Sequence, residues 1–442
     1  MSVATAALAQ EAPRFVSDRI PTLGGKITRM AAVRDINNHG VAVGTSLLKG
    51  NGEYRAFTWV SGDEPPVALP PLEGQTHSSG WSINDSGVVG GYSADQVSMT
   101  GTIWSADGQP TAVGTLGGAF SYVNAISEAG DAAGGSTTAD GELHPYFWKH
   151  DTQTMIDLGL PPDFVIGEAW GINSHEPLQI VGMLLGSNGR TAFVWTEAGG
   201  YQFPGTFGGL ESTACAVNDL GQVVGGATTP DGNEVAYIWD ADNGMVSLGV
   251  LDEMTDSTAT AINNTGQVVG RCWNRDTQEV EMFLWDDGKM YVLERLLGGC
   301  DSWRLIAALG VNDDMSVVGT GDNAGIRTMY CMTAVPPDAM RLAGPAPGDA
   351  YRQSRFCVDG AEPNSPLYLI GGWSEGQATL PVCNGLSVDM AFPCWYWRAR
   401  ADRFGDARWT IAIGSMNGRI LRFQAASPRT CTLSNLRIHR FE

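Results

Sequence analysis

The chain has 442 residues, of which 57 are Gly and 22 Pro, and only 17% are charged. That much glycine excludes a helical bundle, because each helix-interior Gly costs about 1 kcal/mol, while 14 Trp, 14 Phe and 11 Tyr exclude a disordered chain. A formal net charge of −21 excludes a nucleic-acid partner, which needs a basic face to displace counterions.

The charge is uneven. Residues 346–442 carry 11 Arg against 8 acids, or +3, which leaves −24 for residues 1–345. No apolar run reaches the roughly 18 residues that a transmembrane helix needs. Residues 1–13 end a small-x-small pattern at Ala7-Leu8-Ala9 and read either as the remnant of a signal peptide or as an ordinary apolar N-terminus. Eight Cys, four of them in the last 86 residues, fit an oxidising compartment.

From residue 14 to residue 332 the chain repeats itself. A block Ile-Asn-x-x-Gly-x-Val-Val-Gly recurs at 36–44, 83–91, 126–134, 217–225, 262–270 and 311–319, and its first half returns at 172–175. The anchors are separated by 47, 43, 46, 45, 45 and 49 residues. A second block ends in Trp59, Trp104, Trp148, Trp195, Trp239 and Trp285, and a Leu-Gly element closes each unit, as at Leu116-Gly117 and Leu248-Gly249. Asn-x-x-Gly between β-branched runs is hairpin chemistry. Four short strands in about 46 residues make one blade of a β-propeller, and neighbouring blades bury each other's faces.

The expected fold is therefore all-β: a seven-bladed β-propeller over 14–332, then a Pro-rich linker at 333–348 and a small β-sandwich at 349–442. The seventh unit lacks its Leu-Gly strand, and an unpaired one, Ile20-Pro-Thr-Leu-Gly-Gly25, precedes the first. That N-terminal strand is expected to complete the last blade and clasp the ring.

These units resemble the HAF-type "probable extracellular repeat" proteins of bacteria, over about residues 18–332, with the nearest match at 217–226 and 262–270. Ser127, the Ala132-Ala133 pair, His175-Glu176-Pro177 and Met332 depart from the pattern. The resemblance implies an exported propeller-like protein and brings no activity with it. The C-terminal region is similar to tail domains of large secreted bacterial proteins, at Pro381-Val-Cys-Asn-Gly-Leu386, residues 401–407 and residues 423–435. Its four Cys are expected to pair as Cys383–Cys394, a short loop, and Cys357–Cys431, near the two ends; Cys215, Cys272, Cys300 and Cys331 have no evident pairing.

Gly372-Trp-Ser-Glu-Gly376 has the form of a nucleophile elbow, with Asp389 or Asp402 and His439 downstream. The elbow needs a helix after the Ser, whereas Gln377-Ala-Thr-Leu-Pro381 leads into a strand, so a hairpin loop is expected. Six His without metal-ligand spacing, and acidic turns at Asp231 and Asp240 without the full calcium-loop pattern, predict no metal. No cofactor is expected. The once-per-unit Trp residues are expected to fill the space between blades.

Ligand contacts belong where the repeat varies. Two residues before each anchor stand Arg34, Trp81, Asn124, Trp170, Cys215, Thr260 and Leu309, while the intervening position is mostly small. Alternation puts this variable set on one face of equivalent strands. Arg34, Trp81, Asn124 and Trp170 are the candidate site, able to stack on and hydrogen-bond a carbohydrate or a surface protein. The function expected is that of an exported, non-enzymatic binding or structural module at or outside the cell surface. The rival is a propeller hydrolase or lyase acting on extracellular polysaccharide, which would need converging carboxylates.

Overall fold

The computed structural model describes residues 12–25, 31–50, 52–61, 65–297, 303–323, 325–336 and 341–343. In the C-terminal region it describes 353–359, 361–362, 365–372, 378–379, 387–388, 393–401, 407–412, 420–427, 432–434 and 437–440. Among these the only helical element is one 3₁₀ turn, Leu293–Leu296. The chain divides into two compact units, one of residues 18–294 with 303–332, the other of residues 1–17, 295–302 and 333–442.

The larger unit is propeller-like. Its strands fall into antiparallel groups of four, three of which are joined into one twelve-stranded sheet by single parallel pairings of Phe120 with Met99 and Leu143 with Ile166. Ala32–Ile36, Val41–Leu47, Tyr54–Val60 and Val67–Leu69 form the first. Sheets of the same order begin at His77–Ile83, Gly117–Ile126, Phe164–Ile172, Ser212–Val217 and Asp256–Ile262. Trp303–Val311, Val317–Asn323 and Ile326–Val335 form the last, with Arg14–Ile20 as its outer strand. The first strands of successive sheets pack against one another, and the one at Trp303–Val311 packs back against Ala32–Ile36. They surround a common axis.

The Asn-x-x-Gly motif makes the turn between first and second strands. Asn37 Oδ1 accepts the N–H groups of His39 and Val41, and Gly40 takes the positive φ of +74° that ends the turn. Asn218 and Asn263 do the same for Gln222 and Gln267. Met315 holds φ at +59° where the other motifs place Gly. Five of the motif Asn side chains also reach the next sheet. The amide of Asn37 donates to Asn84 O, Asn84 to Ser127 O, Asn218 to Asn263 O, Asn263 to Asn312 O, and Asn312 back to Asn37 O, all at 2.7–3.0 Å.

One residue further on, a second belt is continuous. The backbone N–H of Asn38 donates to Asp85, Asp85 to Glu128, Glu128 to Ser174, Ser174 to Asp219, Asp219 to Asn264, Asn264 to Asp313, and Asp313 to Asn38 Oδ1, at 2.7–3.1 Å. Each acceptor is a side-chain oxygen of the next sheet, so the belt bonds every neighbouring pair and closes on itself.

The inner belt breaks at Ser127, which has no amide to give, and at Asn173, whose amide donates to Pro177 O in its own turn. Ser127→Asn keeps the acceptor that Ser127 Oγ offers to the N–H of Asp131 and adds a donor toward the next sheet. The expected result is a gain of about 1 kcal/mol in urea unfolding; a loss of stability would mean that the space beside Ser127 is filled.

Where the Trp residues lie is equally regular. Trp104 packs with Val43, Ala56 and Leu69 of the preceding sheet, Trp148 with Ile103 and Val113, and Trp239 with Val181, Ala192 and Val194. Trp59 packs with Val318 and Met329 of the last sheet. Trp195 and Trp285 lie against Ala133 and Phe147, and against Val224 and Leu248. Each indole thus sits between its own sheet and the one before it, where it excludes water from both.

The closing strand differs from the expectation in position. Arg14–Ile20 supplies the outer strand, and Ile20–Gly25 does not. Leu23 and Gly25 instead donate to Ser46 Oγ and Leu47 O of the first sheet, as Leu116 does to Ser136 Oγ of its own following sheet. At 23–25 and 116–117 the Leu-Gly element is a connector that docks on the next sheet and follows the completing strand, whereas Leu248-Gly249 ends the completing strand Gly244–Gly249 itself.

In the C-terminal unit, Arg341–Ala343, Gln353–Asp359 and Ala407–Ala412 form one sheet. Pro393–Arg400, Pro366–Gly372, Ile420–Ser427, Thr432–Leu433 and Arg437–Arg440 form another, and Ala378–Thr379 pairs with Ser387–Val388. Leu367, Leu369, Ala425 and Ala426 are buried in the second sheet. Cys357 and Cys394 lie on strands of different sheets, while Cys383 and Cys431, their expected partners, lie outside the described residues. Ser374, Asp389 and Asp402 also lie outside them, and His439 is on the strand Arg437–Arg440.

Candidate functional site

Every first strand carries a β-bulge, and in each the extra residue is the variable one. The register skips Arg34 between Val33 and Asp35, Trp81 between Gly80 and Ser82, and Asn124 between Val123 and Ala125. It skips Trp170, Cys215, Thr260 and Leu309 in the same way. A bulge re-aims the side chain of the extra residue and bends the strand, which is why such positions collect at functional sites. The small neighbours have a packing reason. A β-carbon at Gly310 would lie 3.0 Å from the Cα of Asp35, and one at Gly171 3.3 Å from that of Ala216, where adjacent first strands meet.

Three of the four candidate residues are linked, and two residues absent from the candidate set link them. Arg34 lies over the Trp81 ring, its guanidinium carbon 5.5 Å from the centroid. Trp81 meets Tyr92 edge-on at 5.2 Å and Tyr122 at 5.6 Å, and its Nε1 donates to Ser79 Oγ at 2.9 Å. Tyr122 lies beside the carboxylate of Glu168, to which Trp170 Nε1 donates at 3.1 Å. Burial pushes the Tyr122 hydroxyl far above its ordinary value, and the Glu168 charge adds to the shift, so it stays protonated as a donor. Arg34 is exposed and Trp81 and Trp170 are half-buried. Desolvation nevertheless lowers the Arg34 pKa, partly offset by Tyr92.

Asn124 stands apart. Its amide donates to Ala169 O at 2.7 Å, as the hydroxyl of Thr260 does to Ala308 O, so both tie one first strand to the next. Tyr122 and Glu168 lie two residues before the bulges at Asn124 and Trp170, and Ser79, Thr213 and Thr258 are their equivalents. The same alternation, carried one step upstream, would have marked them.

A second cluster sits around Cys215. Arg190 pairs with Glu211 at 3.0 Å and Arg275 with the fully buried Asp256 at 2.5 Å. Burial pushes the Cys215 thiol up to about 11, which leaves it protonated and unreactive. Glu234 is held above the usual carboxylate range by desolvation, against the opposing Thr258 hydroxyl and the Arg190 and Arg271 charges. A raised acid pKa favours the fold while the group is neutral and loses that benefit as pH rises through the folded value. Glu234→Gln is therefore expected to gain stability over wild type at pH 7–8 and to lose the gain near pH 4. Urea midpoints at the two pH values test this, and a pH-independent difference would refute it.

At the collar, Asn38, Asp85, Glu128, Asp219, Asn264 and Asp313 line a cavity of about 150 Å³ floored by the Ile and Val anchors. Glu128 is raised by desolvation, with Asp85 and Asp219 adding like charge. These carboxylates accept backbone N–H groups of the belt. Among the described residues, no three His, Cys, Asp or Glu side chains are grouped to hold a metal ion. The Asp240 carboxylate accepts the N–H groups of Asp242 and Asn243 in its own turn. No helix among the described residues is long and apolar enough to cross a membrane.

No protein-family model matches the chain, and neither does any curated protein. Among solved structures it is similar to the β-propeller domain of the Trilobed protease from Pyrococcus furiosus, at 13% identity over 69% of this chain and 98% of that one, with a TM-score of 0.46. It is similar to a prolyl endopeptidase at 9% identity, over 76% and 56% of the two chains, with a TM-score of 0.47. TolB from Acinetobacter baumannii aligns at 11% identity over 63% and 59%, with a TM-score of 0.37. The last two are thus spanned over little more than half their length. These likenesses concern the propeller fold alone.

Proposed function

We propose that the chain is an exported, non-enzymatic HAF-type propeller of seven blades, closed by its N-terminal strand and followed by a small β-sandwich, which binds a carbohydrate on its axis. The observation that supports it best is the belt running from Asn38 through Asp85 and onward to Asp313 and back. A closed belt fixes the first strands around one axis, and a rigid ring is the setting in which residues from separate sheets make one site. Arg34, Trp81 and Trp170 come from three different sheets and are joined through Tyr122 and Glu168.

A non-enzymatic role is supported by how the collar acids are used. Asp85, Glu128, Asp219 and Asp313 each accept a backbone N–H from the neighbouring sheet, which gives these acids a place in holding the ring together. The sandwich reading is supported by the two larger sheets of the C-terminal unit. The test is a glycan and cell-wall capture screen on wild type and on the Trp81→Ala, Trp170→Ala double variant. Capture lost with the melting temperature held would support the reading. A double variant that melts lower yet captures as well as wild type would move both indoles to a packing role.

A further inference from the structure

Arg34 is the one member of the axial group whose charge is unanswered. Among the described residues its guanidinium has no hydrogen-bond or carboxylate partner, only the face of Trp81. A stacked guanidinium keeps its N–H fork free at the edge, in the geometry that matches a carboxylate with two parallel hydrogen bonds. Beyond Trp81, through Tyr122, come Glu168 and the half-buried Trp170 ring, and the Glu168 carboxylate can accept from a further hydroxyl group besides Trp170 Nε1.

Acid crowds one end of the ring, where Asp85, Glu128, Asp219 and Asp313 line the collar at the ends of the first strands. Beyond the bulges Arg55 pairs with Glu53 and Arg190 with Glu211, whereas Arg34 at the first bulge keeps no carboxylate partner among the described residues. A negatively charged ligand is repelled at the collar. The bulges decide what kind of ligand. An added peptide strand needs a regular edge, and each first strand is interrupted at the level of Arg34, whereas flat rings flanked by acceptors and a guanidinium suit a sugar ring that carries a carboxylate.

Resting on the reading of the axial group as a binding site, we infer that its ligand is an acidic carbohydrate, a chain of uronate sugars, with a uronate carboxylate on Arg34 and sugar rings against Trp81 and Trp170. Titration calorimetry on the whole chain tests it with three probes: a galacturonic acid oligomer, the same oligomer methyl-esterified, and a glutamate-rich peptide. The acidic oligomer should bind, with about tenfold loss on esterification, on Arg34→Gln and on raising the salt, while Arg34→Lys should lose less, because the ammonium keeps the charge though not the bidentate pair. Arg34→Gln should melt with wild type, since no hydrogen bond of the fold uses the guanidinium.

Equal binding of the acidic and esterified oligomers would overturn the uronate assignment and leave the axial carbohydrate site standing. Binding of the peptide alone would overturn both in favour of a protein partner. Binding of none of the three would overturn the uronate assignment, and capture in the glycan screen would then decide the broader reading.

Discussion

Replacing Gly225 by alanine is expected to cost about 3–4 kcal/mol of stability, far more than one methyl group ordinarily does on a sheet. Gly225 pairs with Ala214, immediately before the bulge at Cys215, and a β-carbon there would fall on the carbonyl oxygen of Thr213. Both sides of that clash are backbone, so no rotamer relieves it. The same carbonyl accepts the buried hydroxyl of Tyr237 at 2.9 Å, and moving the strand to make room would leave that hydroxyl without its acceptor. Tyr146 and Tyr330 make the matching bonds to Tyr122 O and Ala307 O, and Gly134 and Gly319 are crowded in the same way. The Gly that ends Val-Val-Gly, the bulge opposite it and the aromatic residue of the next strand are one device. Gly232→Ala is the control, because Gly232 has φ +81° and nothing within reach of a β-carbon; it should cost about 1 kcal/mol. Urea unfolding of the two variants measures the difference, and a Gly225→Ala loss no larger than that of Gly232→Ala would remove the steric account.

That coupling explains which parts of the fold were legible in the sequence. Asn37, Gly40 and Gly44 act within one hairpin, so the turn and its strands could be read from one copy and checked against the next. Trp104 or Trp239 reveals its inter-sheet place by recurring once per unit. What a single unit cannot display is how it meets its neighbours. Asp85 looks like a solvated turn acid until the N–H of Asn38 is found on it, and Asn124 looks like a ligand contact until its amide is found on Ala169 O. The bulges leave no mark except variability, since the extra residue has no partner to constrain it. Tyr122 and Glu168 carry no signal by residue type, because Tyr and Glu are unremarkable on a strand; only the convergence of two sheets sets them side by side. The Leu-Gly element of residues 20–25 matches a unit's end in sequence, yet the strand that completes the last sheet, Arg14–Ile20, lies just ahead of it.

Ile20→Asp should be the most damaging single substitution at the ring's seam, lowering stability by about 4 kcal/mol or more. Ile20 is wholly buried, and it packs in one cluster with Val33, Ile36 and Phe57 of the first sheet and with Val318 and Met329 of the last. It therefore holds together the two sheets that are farthest apart in the chain. An aspartate there has no cation in the cluster to meet it and must either be buried charged or carry water into the seam. Arg19, next to it, fixes the strand by donating from Nε to Thr328 Oγ1 at 3.0 Å across 309 residues of sequence. Ile20→Val removes one methylene and should cost about 1 kcal/mol, which separates loss of packing from loss of closure. If the strand Arg14–Ile20 closes the ring, Ile20→Asp should also raise hydrogen exchange at both edges of the seam, in the amides of Val33 and Val318, while Val181 and Val194 on the opposite side keep their protection. Uniform loss of protection around the larger unit would mean that the sheets unfold as one without a weakest joint, and unchanged protection at Val33 and Val318 would mean that the belt through Asn38 and Asp313 closes the ring without the strand.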